Sequence, residues 1–230
     1  MKQLVTKAIV LSRTDFGEAD RIISVLTPND GKLRLLAKGV RKVKSKLAGG
    51  IELFSISDIT YIPGKKEIGT LVSARLDRHY GRIIQDIQRV QLGYELIKLL
   101  NKATADQPDA EYFELLETAF AALDDQALAT DLIRAWFEAQ LLKLDGHEPN
   151  LQSTADGQEL NAAGKYLFDF DAVAFTDHPA GQFGASHIKL LRLLLSGHGP
   201  EAINRVQGVA PLVGDVAPLL RTMVNSYIHL

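Results

Sequence analysis

Gly31-Lys-Leu-Arg-Leu-Leu-Ala-Lys-Gly-Val-Arg-Lys-Val-Lys-Ser-Lys-Leu-Ala-Gly-Gly50 changes character halfway along. It carries seven basic side chains, Lys32, Arg34, Lys38, Arg41, Lys42, Lys44 and Lys46, and no acid. In its first part Lys32 and Arg34 alternate with Leu33 and Leu35, the period of a strand with one wet face and one dry face. From Gly39 to Gly50 the apolar period is lost and glycine stands at both ends, which predicts a long mobile loop. A strand that sends cations to one face, followed by a cationic loop, suits a polyanion. An ordinary solvated surface has the same make-up, so the rest of the chain must separate the two.

On the N-terminal side, Val5 to Arg13 reads as a strand rich in β-branched residues, broken at Thr14-Asp-Phe-Gly17. Arg21 to Thr27 is the next, ended by the tight turn Pro28-Asn-Asp-Gly31, and Leu33 to Ala37 is the third. Beyond the loop, Glu52 to Ile62 is a fourth strand stopped at Pro63-Gly64, and the basic turn Pro63-Gly-Lys-Lys66 follows. Leu71 to Asp77 is the fifth, with Val72, Ala74 and Leu76 expected inward and Ser73, Arg75 and Asp77 outward. Five short strands in so few residues predict a small barrel. An OB-fold leads, because it buries its edges and binds oligonucleotides on one face. An SH3-like barrel is the alternative that counting strands does not reject.

From Arg82 the period turns helical. Ile83, Ile87, Val90, Tyr94 and Ile97 form one expected apolar stripe. Pro108-Asp109 opens a second helix, with Asp109 as cap and Phe113, Leu116, Phe120 and Leu123 buried. A third runs from about Leu128 to Leu144, with Ile133, Phe137, Leu141 and Leu144 inward and Gly146 as its stop. Residues 147–185 are polar apart from a possible hairpin around Tyr166-Leu-Phe-Asp-Phe-Asp171. Ser186 is the expected cap of a leucine-rich helix, and the last helix is expected from about Asp215, with Val216, Leu220, Met223 and Tyr227 on one face. The fold class is therefore α+β in two parts: a five-stranded OB barrel over residues 1–80, then an all-α domain over 81–230.

The net charge of -2 conceals an asymmetry. Residues 1–80 hold 15 Lys and Arg against 8 Asp and Glu, and residues 81–230 hold 11 against 20. A basic front and an acidic rear point to different partners. There is no cysteine, so disulfides and thiolate metal sites are excluded. Lys7 interrupts any apolar leader, and no apolar run reaches the roughly 20 residues of a membrane span, so a cytoplasmic protein is expected.

Enzymatic signatures are missing. There is no phosphate-cradling Gly-x-x-x-x-Gly-Lys-Ser/Thr loop, no His-Glu-x-x-His and no Gly-x-Ser-x-Gly elbow. The six histidines, His79, His147, His178, His187, His198 and His229, are scattered, and no metal role is expected for them. Glu18 and Asp20 stand close together, but Arg21 beside them suits a structural ion pair better than catalysis.

Several strings carry a family resemblance: Ala8-Ile-Val-Leu-Ser12, Phe16-Gly-Glu-Ala-Asp-Arg-Ile-Ile23, Leu26-Thr27, Gly31-Lys32 and Ala37-Lys-Gly-Val-Arg41, then Phe137-Glu138, Leu141-Leu142, Gly146, Pro149 and Leu151. In their order and spacing they resemble the RecO family of bacterial recombination and DNA-repair mediators. The resemblance implies an OB domain followed by a helical domain, without enzymatic activity. It implies binding of single- and double-stranded DNA, annealing of complementary strands, and contacts with the C-terminal tail of SSB and with RecR, with RecF and RecA involved indirectly. It places the protein in the cytoplasm, at the nucleoid. Many members carry a four-cysteine zinc site after the central helix. Leu151-Gln-Ser-Thr-Ala-Asp-Gly157 has no cysteine, so no zinc is carried over.

The expected DNA path comprises Lys32, Arg34, Lys38, Arg41, Lys42, Lys44, Lys46 and Arg75, acting on phosphates through counterion release. Phe16, Tyr61 and Tyr80 could stack on bases, or belong to the barrel core. Arg134, within Ile133-Arg-Ala-Trp-Phe137, is the expected cation for the SSB tail, with Trp136 either beside it or in the core. An RNA-binding OB module, or an adaptor that recognises protein only, stands as the alternative.

Overall fold

The computed structural model describes residues 2–64, 67–104 and 109–228. Lys65 and Lys66 of the expected basic turn, Pro108 at the expected start of the second helix, and His229 lie outside the described residues. The chain falls into two compact units, residues 1–125 and 126–230. The change of period at residue 80 falls inside the first of them.

In the first unit, β1 (Leu4–Phe16), β2 (Asp20–Thr27), β3 (Gly31–Ala37), β4 (Ser55–Ile62) and β5 (Ile68–His79) close a barrel in the order β1-β2-β3-β5-β4. Only β3 and β5 pair in parallel. This is the closure of an OB-fold, and it leaves no open sheet edge. Val10, Ile23, Val25, Leu35, Ile59 and Leu71 fill the interior, joined by Val40 and Ile51 from the segment between β3 and β4.

Three strand expectations need correction. β1 does not break at Thr14: Thr14, Asp15 and Phe16 pair with Ile22, Arg21 and Asp20, and the turn falls on residues 17–19. β4 starts at Ser55 rather than Glu52, because Phe54 takes a left-handed φ of 55° that interrupts the extended chain. On β5, Val72 and Leu76 face solvent and Leu71 is buried. Register shifts against β4, where Thr60 pairs Ser73 but Tyr61 pairs Leu71, and Ser57 pairs Leu76 but Ile56 pairs Arg78, leave Val72 and Asp77 unpaired. Each extra residue turns the following side chains to the other face.

Helices α1 (Ile87–Ala103) and α2 (Ala110–Asp124) complete this unit. Asp86 caps α1 by accepting from the N–H groups of Gln88 and Arg89. The expected stripe is rotated. Ile87 and Tyr94 are exposed, and the buried face is Arg89, Leu92, Gly93, Leu96, Ile97 and Leu100. Only Ile97 is common to the expected stripe and that face, and two of its members are not aliphatic side chains at all. The Arg89 guanidinium donates to the carbonyls of Leu123 and Asp125 at the end of α2, where a cation is favoured. Gly93 makes room for Phe54, whose ring meets Phe120 and Tyr94 edge-on. On α2 the expected Phe113, Leu116, Phe120 and Leu123 are all buried, but the Asp109 side chain makes no capping bond.

The second unit contains α3 (Thr130–Leu144), β6 (Asn150–Thr154), β7 (Tyr166–Asp169), β8 (Ala174–Asp177), α4 (Ala185–Leu194), α5 (Pro200–Asn204) and α6 (Val209–Tyr227). Its helical body buries Ile133, Phe137 and Leu141 of α3 with Val216, Leu220 and Met223 of α6. It also carries a three-stranded sheet ordered β6-β8-β7, of which β7 and β8 form the expected hairpin. Phe175 lies at the middle of an aromatic cluster there, with Tyr166, Phe168 and Phe183 arranged edge-to-face around it. Gly184, not Ser186, stands at the start of α4, and the His187 ring accepts its N–H. α6 starts at Val209, six residues ahead of Asp215, and continues through Pro218. No helix among the described residues is long and apolar enough to cross a membrane.

A methyl group on Gly93 would lie 2.5 Å from the Phe54 ring. Overpacking of that kind costs about 1–3 kcal/mol, against about 1 kcal/mol gained in helix propensity. Gly93→Ala is therefore expected to lower the denaturation midpoint. Gly214→Ala, on α6 with open space around it, is expected to raise it.

Candidate nucleic-acid interface

The segment between β3 and β4 is an arch with both feet in the barrel. Val40 and Ile51 are core residues, and Leu47 and Ala48 pack partly against the same core. Gly50 is buried, and a Cβ on it would lie 2.6 Å from Ala74 of β5. The arch is turned rather than extended. Lys42 N–H donates to Gly39 O, Ser45 N–H to Lys42 O, and residues 48–50 form a 3-10 turn. The expected loop is thus turned and anchored at both ends.

Its near side is tied to the tip of the β1–β2 hairpin. The Asp20 carboxylate accepts from Gly39 N–H at 2.7 Å, and Ala19 O accepts from Arg41 N–H at 2.9 Å. Asp15 bridges two guanidinium groups, Arg21 at 2.8 Å and Arg41 at 3.5 Å. Those cations hold the Asp15 carboxyl below the usual carboxylate range, the Arg21 hydrogen bond first among the causes. The Gly-Glu-Ala-Asp-Arg and Lys-Gly-Val-Arg strings therefore meet in space, each completing the other's backbone hydrogen bonds.

The eight expected phosphate contacts divide into two groups. Lys38, Lys42, Lys44 and Lys46 are exposed and have no ion-pair partner among the described residues. The other four already have partners. The Lys32 ammonium donates to Asn101 O at 2.8 Å and Thr104 O at 2.7 Å, closing the end of α1. Arg34 lies 3.7 Å from Glu67, and Arg41 is held by Asp15. Arg75 bonds Asp58 at 2.9 Å on the outer wall, beside a Lys7–Asp77 pair. Lys32 and Arg34 line a groove of about 640 Å³ that also includes Ser24, Tyr61 and Pro63. Its cations are compensated, whereas the four arch lysines have no ion-pair partner among the described residues.

Of the three aromatics, Tyr61 and Tyr80 are each 3% exposed and Phe16, at the hairpin tip, is 53% exposed. Only Phe16 is placed to meet a base. Burial, reinforced by the nearby Asp30 charge, pushes the Tyr61 hydroxyl up to about 12.

In the second unit Trp136 is a core residue, its indole N–H donating to His198 O at 3.0 Å. Arg134 is half-buried on α3. An apolar cavity of about 400 Å³ opens elsewhere, between the start of α3 and the link from α5 to α6. Leu132, Val209 and Val213 line it together with Arg205 and Asp131. Arg205 escaped sequence reasoning because Asn-Arg-Val-Gln207 has no periodic signal; the cavity forms only when α5 and α6 meet α3. No three His, Asp or Glu side chains among the described residues are grouped to hold a metal ion.

The comparisons with known proteins agree along the chain. Residues 1–80 match the model for "Recombination protein O N terminal", and residues 84–228 the model for "Recombination protein O C terminal". The chain is similar to a "DNA repair protein RecO" of Dehalococcoides mccartyi, 34% identical over 164 residues, covering 70% of this chain and 64% of the relative. It is similar to the protein of that name from a Roseiflexus species, 34% identical over 151 residues, covering 65% and 52%. A third, from Rhodopirellula baltica, is 32% identical over 148 residues, covering 63% and 54%. The matched region thus spans between about half and two thirds of the length of these relatives.

Asp20→Ala removes the acceptor of a part-buried N–H, a loss of about 1–2 kcal/mol. Trypsin is expected to cut that variant after Arg41 to Lys46 faster than wild type under native conditions, with little change in cleavage elsewhere.

Proposed function

Because the chain belongs to the recombination protein O family, we propose that it binds single- and double-stranded DNA through the arch at residues 38–46 and anneals complementary strands. In this reading it is a non-enzymatic mediator of DNA repair, acting in the cytoplasm at the nucleoid. It engages SSB and RecR and so helps to load the RecA recombinase.

The observation that carries the DNA reading is the group of four lysines without ion-pair partners among the described residues, on a loop held by Asp20, Ala19 and the barrel core. Such a surface gains affinity by releasing counterions, so it grips any sequence. Screening phosphates on two strands also lowers their mutual repulsion, and annealing needs that. Lys32, Arg34, Arg41 and Arg75 contribute less to the phosphate path in this account, because each must first give up a partner. Phe16 adds a stacking platform beside the arch.

For SSB, the requirement is an apolar cleft next to a cation, to take an acidic tail that ends in an apolar residue. The cavity beside Arg205 brings an apolar wall and a cation together, and Arg134, half-buried on α3, is not part of its lining. Arg205 has no ion-pair partner among the described residues, and Leu132, Val209 and Val213 supply the apolar wall.

K42E/K44E/K46E is expected to weaken binding to a single-stranded oligonucleotide more than about tenfold and to reduce the salt slope by about 2. Arg75→Ala should leave both close to wild type. Unchanged affinity in the triple variant would remove the arch from the account, and stronger binding to matched RNA than to DNA would favour an RNA-binding module. For the tail, Arg205→Ala is expected to weaken binding of a labelled SSB tail peptide about tenfold, through loss of a charge-assisted hydrogen bond. Arg134→Ala should bind it as wild type does.

A further inference from the structure

Val43 stands at the crest of the arch with 104% relative exposure, the highest among the large apolar residues of the described chain. The Ser45 N–H to Lys42 O bond makes Val43 and Lys44 the central pair of a tight turn. Such positions favour glycine, asparagine, aspartate or proline. A β-branched residue there contributes neither to the core nor to the turn. Scattered exposed apolar residues are ordinary on protein surfaces. Val43 differs in its setting, between two lysines without ion-pair partners, on a loop that bonds to the hairpin and core hold in place.

A ligand for this crest must be anionic on both sides of an apolar contact. A single-stranded nucleic acid has that form, because its bases are free of pairing and lie between successive phosphates. In a duplex the base faces are stacked away, and the valine methyls would meet only groove edges. We propose that Val43 is a base-contact residue, and that it makes the arch prefer unpaired strands over duplex. The proposal rests on the DNA reading above and adds to it a contact that phosphate charge alone does not provide. By holding an exposed base while Lys42 and Lys44 hold the flanking phosphates, the crest would keep a strand unstacked and its pairing edge free for a complementary strand.

The test uses the full chain, a thymine oligonucleotide, an abasic strand of equal length, a duplex, and phosphatidylglycerol vesicles. Val43→Ser is expected to weaken binding to the oligonucleotide about fivefold, through loss of apolar contact. Its salt slope and its affinity for the duplex should stay unchanged. Val43→Trp places an indole at the crest, and wild-type emission accounts for the buried Trp136. That added emission is expected to be quenched by the oligonucleotide and not by the abasic strand. Equal quenching by both strands, or wild-type affinity in Val43→Ser, would overturn the base contact while leaving phosphate binding by the lysines intact. Failure of the wild-type protein to bind any of the nucleic acids would sink the DNA reading, and this proposal with it. A blue shift on vesicles without a response to the oligonucleotide would reassign the crest to a bilayer surface.

Discussion

The bond from Gly39 N–H to the Asp20 carboxylate closes the contact between the β1–β2 hairpin and the arch, and the cationic surface depends on that contact. Lys38, Arg41, Lys42, Lys44 and Lys46 crowd into nine residues and repel one another. A free coil of that composition would splay apart, because exposed like charges each cost up to about 1 kcal/mol at this range. Burial of Val40 and Ile51 contributes about 1.5–3 kcal/mol apiece, and the hydrogen bonds to Asp20 and Ala19 about 1 kcal/mol each. These attachments oppose the repulsion. The lysines are therefore presented together rather than dispersed, without acids placed among them.

Basic residues in the first unit have three different physical uses. Lys32 and Arg89 serve helix ends, where carbonyls without intrahelical partners attract a cation. Arg34, Arg41 and Arg75 sit in ion pairs on the surface. Of the eight cations expected on the phosphate path, the lysines at 38, 42, 44 and 46 are the ones without an ion-pair partner among the described residues, and so are left to attract an outside polyanion. A count of positive charge along the sequence cannot make this division, because it depends on which acids and carbonyls the barrel brings near.

What the sequence made legible follows the same line. The succession of five strands along the chain, the turn at Pro28, the end of the fourth strand before Pro63 and the buried face of α2 all rest on local period and turn chemistry, so they could be read directly. The facing of β5 could not be, since bulges at Val72 and Asp77 are set by its pairing with β4. The rotation of α1 was hidden for a similar reason: Gly93 and Arg89 face inward because of Phe54 and the end of α2, both distant in sequence. Among site residues, the arch lysines were visible as a charge run. The partners of Lys32 and Arg75 and the cavity beside Arg205 were not, because each needs two segments that only the fold brings together.

The two feet of the arch have a consequence for how this surface can vary. Val40 and Ile51 fix where the segment leaves and re-enters the barrel, and Gly50 leaves no room for a side chain against Ala74. Between those points the side chains at 42, 43, 44 and 46 touch little else, so their identities are free of folding requirements. The span between the feet is not. Shortening it would pull Val40 or Ile51 out of the core, whereas residues added at the exposed turn lengthen only the loop. Ligand preference can drift here one exposed side chain at a time, at almost no cost to the barrel, whereas a shortened span strains both feet.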